Sequence, residues 1–71
     1  MNYIDKRYLR YVPAKMRKYL VWLDRTDNEC DHSHVYFIIF EKDGIEYCPE
    51  PADTVGEITW NCKQIAKEMG L

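Results

Sequence analysis

The sequence predicts a single small α+β domain over residues 1–71, in which a small antiparallel sheet is packed by a C-terminal helix and a short N-terminal helix. Three observations carry this reading: a helical apolar stripe near the C-terminus, a β-branched and aromatic run closed by Asp-Gly, and a length that leaves no room for a second core. A chain this short buries only about 60% of the surface it exposes when unfolded, so nearly every large apolar residue is needed for the fold.

The helix is the clearest element. Ile58, Cys62, Ile65, Ala66 and Met69 recur at i, i+4, i+7, i+8 and i+11, while Lys63, Gln64, Lys67 and Glu68 take the opposite side. Thr54-Val55-Gly56-Glu57 has the Thr-x-x-Glu form of a capping box, and Gly70 suits the left-handed residue that ends a helix. The helix is expected over 55–69.

Upstream, Val35-Tyr36-Phe37-Ile38-Ile39-Phe40 favours a strand. Asp43-Gly44 tolerates positive φ in a two-residue turn, and Ile45-Glu46-Tyr47-Cys48 alternates as a returning strand until Pro49 and Pro51 stop it. A hairpin is expected over 34–48. Because the 35–40 run is apolar on both faces, a cover for each face is expected, the second being the N-terminal segment or another copy of the chain in a two-fold dimer.

A two-stranded hairpin is marginal alone, and Lys18-Tyr19-Leu20-Val21-Trp22-Leu23 supplies a third strand over 18–24. The alternative there is a helix starting at Pro13 with Met16, Leu20 and Leu23 on one face. Before it, Ile4, Tyr8, Tyr11 and Val12 follow helical spacing over 3–11, and Pro13 breaks the chain direction.

Composition removes several classes of function. The longest apolar run has six residues, against roughly twenty for a membrane span, and Asp5, Lys6 and Arg7 interrupt any secretory signal. Three cysteines at irregular spacing argue against a disulfide framework and for a cytoplasmic location. Aromatics make up 14% of the chain, which argues against disorder. Charge is segregated along the sequence. Residues 1–27 hold seven cations against three carboxylates, a net +4, and residues 28–71 hold three against nine, a net −6.

Candidate chemistry is sparse. Cys30-Asp31-His32-Ser33-His34, with Cys48 as a fourth donor, is the one place where metal ligands crowd, giving Cys30, His32, His34 and Cys48 as a weak zinc set. Structural zinc uses two close ligand pairs, and here no second pair follows; in an extended segment alternate side chains stand ~6.6 Å apart. Cys62 belongs to the helix stripe, as an inert core thiol does. Glu46, Glu50, Asp53 and Glu57 show no sign of the unlike environments that acid–base catalysis requires, and no glycine-rich phosphate loop occurs. No enzyme and no cofactor is implied.

What remains is a basic, tyrosine-rich N-terminus. Arg7, Arg10, Tyr11 and Arg17, with Trp22, are residue types that dominate protein interfaces, so the expected function is a small accessory protein that binds a protein partner as inhibitor or regulator. Interleaved cations and aromatics also suit RNA or single-stranded DNA, although the chain is acidic overall. A zinc-stabilised module is the third class.

Overall fold

The structure, a computed structural model, describes residues 2–71. Its strands are β1 (Tyr3–Ile4), β2 (Leu20–Asp27), β3 (His34–Lys42) and β4 (Ile45–Tyr47), followed by one α-helix, α1 (Val55–Met69). Two 3-10 helices, Lys6–Tyr11 and Ala14–Tyr19, lie between β1 and β2. The strands form one sheet in the order β1-β2-β3-β4, and no helix among the described residues is long and apolar enough to cross a membrane.

The C-terminal helix has the expected bounds and caps. Thr54 accepts a hydrogen bond from the Glu57 N–H at 3.2 Å, and the Glu57 carboxylate reaches back to the Asp53 N–H at 2.8 Å. At the other end Gly70 adopts φ 79°, and the Leu71 N–H donates to the Ala66 carbonyl at 2.8 Å. The hairpin also forms: Asp43 (φ 54°) and Gly44 (φ 78°) make the turn, and Lys42 faces Ile45 across it. Beyond β4, the Tyr36 and Ala52 backbones exchange hydrogen bonds of 2.8 and 3.0 Å, so the chain after the two prolines shields the rest of that β3 edge.

The N-terminal third differs from expectation. Residues 3–11 are not one helix: Tyr3 and Ile4 pair in parallel with Trp22 and Leu23, which makes the sheet mixed rather than antiparallel. A 3-10 helix then starts at Asp5, whose carboxylate accepts from the Arg7 backbone N–H (3.0 Å) and from its guanidinium (2.7 Å). The third strand starts later and runs longer than 18–24. Lys18 and Tyr19 close the second 3-10 helix, and β2 continues to Asp27 because β3 offers a partner at every position back to His34. The loop shrinks to residues 28–33.

One expectation fails. Met16, Leu23, Phe40, Ile58 and Cys62 are fully buried in one cluster, with Tyr36 and Ile38 also inside it. Both the 3-10 segments and α1 pack on this inner face, and the Thr59 hydroxyl joins the two by donating to the Tyr11 carbonyl at 2.7 Å. The N-terminal segment therefore covers the face that α1 already covers. The outer face of the 35–40 run is bare in the protomer: Phe37 is 36% exposed, and Val35 and Ile39 are half-buried.

Two consequences are measurable. Phe40→Ala lowers the unfolding free energy by about 3–5 kcal/mol in urea titrations, whereas Phe37→Ala lowers it by no more than about 1 kcal/mol; equal losses would mean that both faces are covered. The Arg7 contacts hold the Asp5 carboxyl below the usual carboxylate range. A lowered folded-state value stabilises above the ordinary range and is lost as pH falls through it, so the melting-temperature gap between wild type and Asp5→Asn closes on acidification below about pH 4.

Candidate functional site

Strand alternation sorts the sheet residues into two faces. Directly opposed residues share a face, so the pairs Tyr3/Trp22, Trp22/Ile39, Asp24/Phe37, Thr26/Val35 and Glu41/Glu46 all stand outside. A bulge at Val21 lets Leu20 and Leu23 both point inward while Trp22 points out. Tyr3 is 50% exposed and its ring packs 5.6 Å from that of Trp22. The outer face thus presents a contiguous apolar strip of Tyr3, Trp22, Val35, Phe37 and Ile39. At one end the 28–33 loop bounds a depression of about 510 Å³, with Thr26, Val35 and Phe37 on one wall and Asn28, Glu29 and Cys30 on the other.

Asp24 interrupts the strip. It is half-buried opposite Phe37, and its Oδ1 is buried with no hydrogen-bond partner among the described residues. A buried carboxylate oxygen without a donor is normally destabilising, which singles this position out among the strand residues.

The expected contact residues do not assemble. Trp22 lies on the outer face, while Arg7, Arg10, Tyr11 and Arg17 belong to the 3-10 layer on the other side of the sheet. In that layer the tyrosines are partly buried against the core and their rings carry neighbouring cations: Arg7 stands 5.3 Å from the Tyr8 centroid, Arg10 5.0 Å from Tyr11, and Lys18 5.1 Å from Tyr19. Arg17 donates to the Val12 carbonyl at 3.1 Å. Ion pairs among the described residues join near neighbours in sequence: Arg7–Asp5, where the Asp5 side chain is largely covered, and the more open Arg25–Asp27 and Lys42–Asp43.

Two features of this side escape a reading by sequence blocks. Lys63 and Lys67 of α1 join Lys15 around a groove of about 350 Å³ floored by Met16 and Ala66, although they belong to the acidic half of the sequence. Trp60 is 62% exposed on the same helix. Its place off the 58-62-65-66-69 stripe was the signal for that exposure.

The metal candidates stay apart. Among the described residues no three His, Cys, Asp or Glu side chains come together as a metal site. His34 begins β3 and packs on Tyr36, while Cys48 follows Tyr47, the partner of Phe40, and so stands level with Ile39, five positions from His34 and roughly 17 Å along the strand. Cys30 and His32 sit in the exposed loop, where Asn28 and Asp31 side chains accept backbone N–H groups and His32 takes φ 59°. Cys30 and Cys48 are exposed free thiols; Cys62 is fully buried, and desolvation pushes its thiol up to about 12.

Compared with known proteins, the chain matches no family model, no curated protein and no solved structure.

The burial pattern fixes an order of thiol reactivity. With a chromogenic disulfide reagent at pH 8, Cys30 and Cys48 react in the native protein, and Cys62 reacts only after unfolding. A third native thiol titrating at a comparable rate would contradict the packing of α1 on the sheet.

Proposed function

We propose that the chain is a non-catalytic accessory protein that binds another protein, as an inhibitor or regulator, through the outer face of its sheet. The observation that carries this reading is the uncovered strip Tyr3-Trp22-Val35-Phe37-Ile39 on so small a domain. A 71-residue chain has few large apolar side chains to spare from its core, and contiguous apolar surface of this kind marks interaction sites. Tyr and Trp are also the side chains that most often dominate binding energy when a partner closes over them.

The alternatives have weaker support. Base stacking needs free aromatic faces beside cations, and here Tyr8, Tyr11 and Tyr19 are partly buried and face their own neighbouring cations. Of the open aromatic residues, Tyr3, Trp22 and Phe37 share their face with carboxylates, which repel phosphates, and Trp60 on α1 is a single ring where a stacking platform uses several. The expected zinc ligands are dispersed along β3 and its flanking loops. Three free thiols suit a reducing compartment, and a cytoplasmic location belongs to the same reading.

Affinity capture with wild type and variants tests the surface. Trp22→Glu or Phe37→Glu abolishes capture of a partner retained by wild type, a loss of at least about 2 kcal/mol or roughly thirtyfold in affinity, while circular dichroism shows the fold intact. Combined alanine substitution of Arg7, Arg10 and Arg17 leaves that capture in place. The opposite pattern would move the site to the 3-10 layer.

A further inference from the structure

The charges on the sheet are as segregated as its apolar residues. Every charged strand residue at an outer position is a carboxylate: Asp24, Glu41 and Glu46. Both strand cations, Arg25 and Lys42, oppose Tyr36 and Ile45 at inner positions. Glu41 and Glu46 are direct cross-strand partners, both are exposed, and neither is in an ion pair with another described residue. Like charges directly opposite destabilise a sheet, and a lysine at either position would relieve the repulsion. Asp24 adds a buried oxygen with no donor in the midst of the apolar strip. Glu29 extends the acidic rim to the wall of the loop depression.

We propose that the occupant of the outer face is a basic protein surface, an apolar patch edged by Arg or Lys whose cations meet Asp24, Glu41 and Glu46. This rests on the outer-face reading above and adds the partner's chemistry. A guanidinium placed over the half-buried Asp24 meets the accessible part of its carboxylate, in a charge-assisted bond stronger than a neutral one. A cation between Glu41 and Glu46 turns a repulsion in the free protein into attraction in the complex. The same pattern disfavours a two-fold dimer through this face, because symmetry would bring one set of carboxylates against its copy in a drying interface.

The test uses the full chain, isotope-labelled, with two synthetic amphipathic helical peptides as probes: one of leucine and lysine, one of leucine and glutamate. The lysine peptide is expected to shift amide resonances of residues 22–24, 35–41 and 46, with affinity falling several-fold between about 50 and 300 mM salt. Combined Asp24→Asn, Glu41→Gln and Glu46→Gln is expected to weaken it at least tenfold without loss of the native spectrum. Glu46→Lys, which places a cation opposite Glu41, is expected to weaken it too while raising the melting temperature by about 2–5 °C. Equal binding of the glutamate peptide, undiminished binding by the triple variant, or no stabilisation by Glu46→Lys would overturn the basic-partner proposal. In that event, loss of binding in Trp22→Glu would still leave the outer face as the site. Shifts confined to the 3-10 layer would remove the outer-face reading itself. Sedimentation of a dimer at low salt that Trp22→Glu dissolves would make a second copy the occupant and so overturn the proposal.

Discussion

Among the described residues, a single amphipathic helix and two short 3-10 helices lie against the sheet, and they all pack on one side. Phe40, Leu23 and Ile38 meet Met16 from the second 3-10 helix and Ile58 and Cys62 from α1 in one cluster, and the Thr59–Tyr11 hydrogen bond ties the two covering elements together. With α1 and the N-terminal segment sharing the inner face, no described element covers the outer one. The apolar strip on the outer face follows from that arrangement. The bulge at Val21 matters here, because it sets Trp22 outward while keeping Leu20 and Leu23 in the core.

The two-ended charge of the sequence becomes a difference between layers, though not along the boundary that sequence blocks suggest. Lys63 and Lys67 leave the acidic half and join Lys15 beside the second 3-10 helix, whereas Asp24 leaves the basic half and joins Glu41 and Glu46 outside the sheet. The ion pairs among the described residues are sequence-local, and the open ones, Arg25–Asp27 and Lys42–Asp43, are of a kind that contributes little to stability. The fold is held mainly by apolar burial and backbone hydrogen bonding.

Much of the fold was legible locally. Thr54, Glu57 and Gly70 mark both ends of α1, and Asp43-Gly44 sets the hairpin register. That register places Glu41 opposite Glu46 by counting outward from the turn, so the acidic pair was within reach of the sequence although alternation alone suggested only a solvated Glu46. Other elements left no local signal. A two-residue parallel strand such as Tyr3–Ile4 exists only through its pairing with β2, and the spacing of Ile4, Tyr8 and Tyr11 does not separate an α-helix from a strand followed by a 3-10 helix. The 35–40 run misled in a different way. An apolar residue at every position implies burial on both faces, whereas here the alternate residues Val35 and Ile39 are only half-buried and Phe37 is exposed.

The claim beneath this account is that one sheet face is wet in the isolated protein. Methyl relaxation in the presence of a soluble gadolinium chelate measures it directly, since Ile39 and Val35 alternate with Ile38 along one strand and all carry methyl groups. The account predicts strong enhancement at Val35 and Ile39 with Ile38, Ile58 and Ile65 protected, at concentrations where the protein sediments as a monomer. Protection of Ile39 equal to that of Ile38 under those conditions would show the outer face covered within the protomer and contradict the account.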